Sequence, residues 1–503
     1  MFCSNNLFSQ YTPIFSVLEN YRRYGNEKFT IRPIHDTNFL KFEGKLSKKS
    51  WFHRKLFQEH LFEANSKDFY VRGDYYLDYQ IGKENVTPAL LTNNSRGFGV
   101  EGKLGQFSFY ANIYENQFTT PNYITQYLQN VGVYPGLGTR DYDYSNHVDF
   151  TYSAGGISYK FKKFFTLQLA NDKIFIGNGY RSLLLSDAAT PYPFFRITTQ
   201  IGRFQYSNIY AQMINNINYN KSSYYIGYNK KFFVGHYLEY AAKKWHFGLF
   251  EGVVLINQDS TGYRGFEFGY LNPVIFLRPT EYTFGSPDNA LIGFNVAFDI
   301  NKNTQLYGQI VIDEFYISEI FKNRGFWANK QGFQLGIKSK KLFKKSTLSG
   351  FSEINLAPPY TYTASIPALS YTHFSEALAH PIGANFYEWV NRIEWNYNRW
   401  YVYYQLNLAK YGINGNGFTN VGQNLLQSYI TRDHDYGNYI GQGVPIDFIF
   451  SNIQAGWVIN PKNNLRIEFQ YIFRNENING ANNISNIFYV GLRSSFRNIY
   501  LDR

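Results

Sequence analysis

The sequence predicts an all-β chain: a transmembrane antiparallel β-barrel of about eighteen strands, preceded by a small, partly helical N-terminal region. Three observations lead there. Tyr and Phe together number 93 (46 and 47) in 503 residues, yet mean hydropathy is -0.37. An aromatic load on a chain that is polar on average fits strands with one apolar and one wet face. Segments of 10–12 residues alternate with period two, a length that crosses a bilayer at a tilt. The connections between them also alternate, short then long, as the two ends of an outer-membrane barrel do.

Taken in order, residues 1–68 alternate poorly. The opening MFCSNNLFSQ reads as the tail of a signal peptide ending near Gln10. Cys3 is the single cysteine, so no intramolecular disulfide can form. Residues 51–64 (WFHRKLFQEHLFEA) hold neither Pro nor Gly, and their apolar side chains spread around the whole circumference. That predicts a plug-like helix enclosed by protein. The barrel is expected to span 69–503.

From Phe69 the period changes. In FYVRGDYYLDYQ, Phe69, Val71, Gly73, Tyr75, Leu77 and Tyr79 share a face opposite Tyr70, Arg72, Asp74, Tyr76, Asp78 and Gln80. The expected strands are 69–82, 97–105, 106–116, 147–160, 163–176, 193–202, 204–215, 232–241, 244–254, 291–300, 304–313, 331–339, 346–356, 387–396, 400–410, 449–459, 464–475 and 485–497. Long loops are expected at 83–96, 117–146, 177–192, 216–231, 255–290, 314–330, 357–386, 411–448 and 476–484. The motif SYYIGY (223–228) is placed in a loop, which keeps the strand number even. This parity puts both termini in the periplasm. Closure satisfies every backbone group inside lipid, and Tyr and Trp then serve the interfacial girdles.

Net charge is +12, much of it in the short Lys runs at 160–163, 230–231, 243–244 and 338–345. These punctuate strands rather than load one helix, so they read as turn residues near anionic headgroups and not as a nucleic-acid surface. The lumen face carries Arg72, Asp74, Asp78, Arg466 and Glu468. They could line a conduit or contact a glycan; mutual ion pairing that stiffens the barrel is the favoured reading. No nucleotide loop, Gly-x-Ser-x-Gly elbow or zinc spacing is present. Acidic clusters at Arg140-Asp141-Tyr142-Asp143 and Arg432-Asp433-His434-Asp435 admit a paired-carboxylate glycosidase reading. A solvated or ion-ordered loop explains them more simply. The expectation is a protein without enzymatic activity, cofactor or metal.

The stretch Lys173–Ile197, KIFIGNGYRSLLLSDAATPYPFFRI, runs Gly-x-Gly, then Ser-Leu-Leu-Leu-Ser, then a Pro-Tyr-Pro corner. It resembles the signature of the Wzi-like capsule-assembly outer-membrane family. LNPVIFLRP (271–279), GSPDNALIG (285–293), YTHFSEALAHPIGANF (371–386) and DYGNYIGQG (435–443) are similar to loops of its Bacteroidota branch, which includes the gliding-motility-associated protein RemB. The resemblance runs from about residue 30 to the end. It implies an eighteen-stranded barrel with an N-terminal helical plug that binds or anchors surface polysaccharide. Its partners would be outer-membrane lipid, that polysaccharide and other outer-membrane or motility proteins. A gliding or adhesion component and a passive porin are the alternatives. Glycan contacts are expected in loops 177–192, 357–386 and 411–448, from Tyr180, Arg181, Asp187, Tyr192, His373, His380, Asn385, Asp433, His434 and Asp435. Rings would stack on sugars while amides and carboxylates read hydroxyls. The Leu183–Leu185 triplet is too apolar for an outer loop and is expected to pack into the barrel mouth.

Overall fold

In a computed structural model of the chain, eighteen long antiparallel strands close on themselves, as the period-two pattern predicts. The structure describes residues 30–32, 49–139, 146–162, 164–215, 228–259, 262–275, 288–343, 347–415, 419–494 and 499–503. The leader-like start at 1–10, the acidic cluster at 140–143 and residues 223–227 of SYYIGY lie outside these.

The first nine strands are β1 (Phe69–Glu84), β2 (Leu90–Leu104), β3 (Phe107–Thr119), β4 (His147–Phe161), β5 (Phe165–Asp172), β6 (Tyr192–Ile201), β7 (Phe204–Asn215), β8 (Asn229–Ala241) and β9 (Trp245–Ile256). The rest are β10 (Asn289–Asp299), β11 (Thr304–Ile312), β12 (Gln331–Ser339), β13 (Leu348–Ala357), β14 (Phe386–Tyr397), β15 (Trp400–Ile413), β16 (Val444–Asn460), β17 (Leu465–Ile478) and β18 (Ala481–Arg493). Each pairs with the next, and β18 returns to β1.

Alternate residues face lumen and exterior. Outward positions such as Phe98, Ile113, Leu169, Leu335, Ile393 and Val490 are large, apolar and exposed, while their inward neighbours are buried and largely polar. Exposing such side chains to water would forfeit roughly 1.5–3 kcal/mol each, so this wall belongs in lipid. Near the short-turn end the exterior is aromatic. Trp245 lies 4.5 Å from Phe298 and Phe204 4.8 Å from Tyr240, with Trp395, Tyr397 and Trp400 exposed at the same level.

One sector departs from this rule. Asn208, His236 and Glu251 are cross-strand neighbours on the outer face of β7, β8 and β9, and all are buried. Asn208 Oδ1 and His236 Nδ1 are 2.8 Å apart. Residues 262–275 lie over this sector. Tyr270 packs on Val234, Val253 and Leu255, and the Tyr206 hydroxyl donates to the Pro273 carbonyl at 2.5 Å. Polar groups facing hydrocarbon cost several kcal/mol unless satisfied; here the chain itself supplies the cover.

Several sequence expectations are corrected. The helix expected at 51–64 is α1, Trp51–Phe57 only, with Trp51 and Phe52 exposed. It is not enclosed, because the next apolar residues leave helical period and form a strand, Phe62–Asn65. That strand pairs with Tyr70–Gly73 of β1, just where β18 has ended opposite Asp78. The N-terminal region therefore covers an otherwise open sheet edge. A Cβ on Gly73 would sit 2.2 Å from the Phe62 ring, so glycine admits this close approach. The long loops expected at 83–96 and 476–484 are short, because their strands extend further. The second is a two-residue turn, Asn479-Gly480, with φ 51° and 88°, the primed hairpin geometry. Finally, β5 stops at Asp172 instead of reaching 176, and Lys173 turns into the lumen.

Candidate functional site

The long-loop end holds two structures: a plug inside the barrel and a cap above it. The plug is built from residues 173–191, residues 358–385, helix α2 (Asn122–Val131) and the segment 499–503. Residues 30–32 join it, Ile31 pairing with Ile176. Helix α2 buries Tyr123, Ile124 and Leu128 and ends on Gly132, whose φ of 84° closes the last turn.

Leu183, Leu184 and Leu185 are fully buried among the plug and the lumen wall, as expected from their apolarity. Leu184 sits on Gly293, where a Cβ would lie 2.3 Å from its methyl. The main chain of the triplet is satisfied as well. Leu183 N–H donates to Gln309 Oε1 at 2.8 Å, and the Tyr362 and Tyr371 hydroxyls donate to the Leu183 and Leu184 carbonyls at 2.8 and 2.7 Å.

Below the triplet lies a charged cluster at mid-lumen. Arg181 is 2.8 Å from Glu388 of β14 and 3.1 Å from Asp502. The His380 imidazole meets the same Glu388 at 2.6 Å. Glu353 of β13 accepts the Tyr180 and Arg181 main-chain N–H groups at 2.7 and 3.0 Å. Glu376 ties four segments together, accepting from Gly136 N–H (2.8 Å), Tyr127 hydroxyl (3.2 Å), Thr190 N–H and hydroxyl (both 2.9 Å) and Arg503 (3.4 Å).

This placement corrects most of the predicted glycan contacts. Tyr180, Arg181, Tyr192, His373, His380 and Asn385 are all buried, so none presents a surface to a polymer outside. His373 Nδ1 accepts Ile214 N–H at 3.0 Å, and burial drives its imidazole down to about 3, so it stays neutral. Asn385 bonds Gly412, Gly441 and Gln442. Asp187 is partly buried and accepts the Tyr500 hydroxyl at 2.7 Å. The reason is shared: these polar residues flank apolar ones that enter the lumen, and they are carried in with them. The lumen residues pair with protein too: Arg72 with Glu101, Asp74 with His60 at 2.5 Å, Asp78 with Arg493 at 2.7 Å, and Arg466 with Glu468 at 2.7 Å.

Asp433, His434 and Asp435 remain exposed, in the cap. The cap joins residues 313–330 to 414–443 by main-chain bonds, Trp327 N–H to Asp435 O (2.9 Å) and Gly437 N–H to Arg324 O (2.8 Å). Trp327 and Tyr429 lie 4.7 Å apart, centroid to centroid. Arg432 sits 4.1 Å over Trp327, and Arg324 4.5 Å over Tyr436. Asp435 holds Arg432 at 2.7 Å. Sequence reading found the acidic run but missed these rings. Its available signal was Gly325-Phe326-Trp327, an aromatic pair behind a glycine in a loop too long to be idle. Among the described residues, no group of His, Cys, Asp or Glu is placed to hold a metal ion.

The fold and its apolar exterior define an outer-membrane-type β-barrel whose lumen is filled by its own loops. No family model and no curated protein matches the chain. Solved structures do. Wzi of Escherichia coli, described as an outer membrane protein involved in group 1 capsule assembly and a carbohydrate-binding β-barrel, is similar at TM-score 0.49 and 14% identity. That match covers 83% of this chain and 84% of that one. OprD of Pseudomonas aeruginosa is similar at TM-score 0.43 and 10% identity (84% and 94%). OccAB3 of Acinetobacter baumannii is similar at 0.44 and 10% (84% and 98%).

Proposed function

We propose that the chain is an outer-membrane protein that holds surface polysaccharide on its cap without chemical conversion. The observation that carries this reading is the pairing of a filled lumen with a ring-lined outer surface. A porin needs an open path, whereas residues 173–191, 358–385 and 499–503 occupy the middle of this barrel. Trp327, Tyr429 and Tyr436 each have a cation over one face, and what they leave uncovered is apolar ring surface of the kind that packs on pyranose rings, with Asp433, His434 and Asp435 as hydrogen-bonding partners beside them. The cap then faces outward, and the aromatic short-turn end sits at the periplasmic interface.

The direct test is binding of purified capsular or exopolysaccharide to the detergent-solubilised protein. Saturable binding that Trp327→Ala weakens supports the reading. Absent binding, together with normal capsule retention in a deletion strain, defeats it. One observation favours a second reading, a component of a surface-adhesion or gliding apparatus. Tyr316, Ile317 and Phe321 stand exposed in a single cap segment, Phe321 at 85%, an apolar surface suited to a protein partner. Loss of cell spreading with an intact capsule would support it.

A further inference from the structure

Asp502 is held by donors that other parts of the chain supply. Its carboxylate receives the Tyr180 hydroxyl at 2.8 Å, Arg181 Nη1 at 3.2 Å, Gln405 Nε2 at 2.6 Å and Asn407 Nδ2 at 2.8 Å. Arg181 Nη2 also donates to the Asp502 main-chain oxygen at 2.9 Å. All five residues are buried.

The donor set has anchors of its own. Glu388 grips Arg181 from β14, Glu353 accepts the main chain of Tyr180 and Arg181, and Arg392 donates to Gln405 Oε1. Withdrawing Asp502 would thus leave a formed cradle of one guanidinium, one phenol and two amides, the complement of a carboxylate. Around it are flat faces: Tyr180 stacks on Phe351 at 5.5 Å, and Tyr403 lies beneath Arg392 at 4.8 Å.

We propose that Tyr180, Arg181, Gln405 and Asn407 form a carboxylate-binding site that Asp502 fills from within, and that the carboxylate of a uronic-acid residue competes for it. The sugar half of this assignment rests on the polysaccharide reading; the carboxylate half does not. The site gives the filled lumen a second state, in which a carboxylated sugar replaces the intramolecular ligand.

The test is chemical rescue. Asp502→Gly lowers the thermal unfolding midpoint of the full chain in detergent. Acetate and glucuronate restore it, whereas chloride and glucose at matched ionic strength do not, and wild type responds only at carboxylate concentrations well above those that restore the variant, because Asp502 must first be displaced. Adding Arg181→Met abolishes the rescue. Should Asp502→Gly fail to fold, Asp502→Ala empties the cradle while keeping a less flexible main chain. Equilibrium dialysis with labelled glucuronate then gives retention at least about tenfold above wild type, the ratio one charge-assisted hydrogen bond supplies. Rescue by neither carboxylate, or equal retention by variant and wild type, overturns the site. Rescue by acetate without glucuronate overturns the uronate assignment. Polysaccharide binding at the cap, read separately from Trp327→Ala, tells either failure apart from failure of the proposed function.

Discussion

Residues 173–191 and residues 414–443 leave the same end of the barrel, and both carry Arg, Asp and Tyr beside glycines. One dives into the lumen and the other stays outside. The difference is three consecutive leucines. Each gains roughly 1.5–3 kcal/mol from full burial, enough to draw Arg181 and Ser186 inside provided that every polar group finds a partner. Arg181 finds Glu388 and Asp502, and the Ser186 hydroxyl donates to the Ala379 carbonyl. The described residues of 414–443 have no such run, so Asp433, His434 and Asp435 stay in water, and Tyr429 and Tyr436 pack beneath cations at the surface rather than in the lumen. A conspicuous polar residue is thus structural or functional according to its apolar neighbours.

Substitutions at both ends test this contrast. Leu184→Asp should do most, since it buries a carboxylate against Gly293 and removes the leucine. A loss above about 4 kcal/mol is expected, read as protease cleavage in 173–191 and collapse of the denaturant midpoint. Glu376→Ala strands the Gly136 and Thr190 N–H groups and should cost about 3–5 kcal/mol, with Glu376→Gln clearly milder by the same assay.

Acid probes the plug more gently. His373 has a folded pKa of about 3, below its unfolded value near 6.5. Its contribution is complete above pH 6.5 and fades as pH falls toward 3, a loss of about 2 kcal/mol at pH 5. His373→Gln should flatten that part of the profile of unfolding midpoint against pH.

In the cap, Trp327→Ala should weaken polysaccharide binding about tenfold, near 1.4 kcal/mol, with a smaller loss of stability than Glu376→Ala. Asp435→Ala, which breaks an exposed pair with Arg432, should change stability by less than about 0.5 kcal/mol. Equal effects of Trp327→Ala and Glu376→Ala on stability would erase the distinction between plug and cap.

Much of the barrel was legible because a wall between lipid and a wet lumen imposes period two on every strand. The number eighteen leaned as well on the Wzi-like resemblance and on placing SYYIGY in a loop. What was not legible depended on contacts distant in sequence. Nothing local marks Phe62–Asn65 as the partner of β1 rather than the end of a helix. Asn479-Gly480 was the reverse: a local hairpin signal, hidden inside a presumed long loop. Helix α2 had its own signal in the Tyr123-Ile124 and Tyr127-Leu128 spacing before Gly132. The candidate site divides by burial. Loop chemistry pointed to Asp433–Asp435, but burial of Tyr180 through Asn385 depends on the shape of the lumen, which no single segment encodes.

The segment 499–503 also ties the interior to the seam. Arg181 and Asp502 are 321 residues apart, and Asp502 follows β18, the strand that closes the cylinder on β1. That seam spans a wider separation still, 415 residues between Asp78 and Arg493. The last stretch of chain thus completes both the wall and the latch of its interior, so a change that unpicks β18 also releases the carboxylate from Arg181.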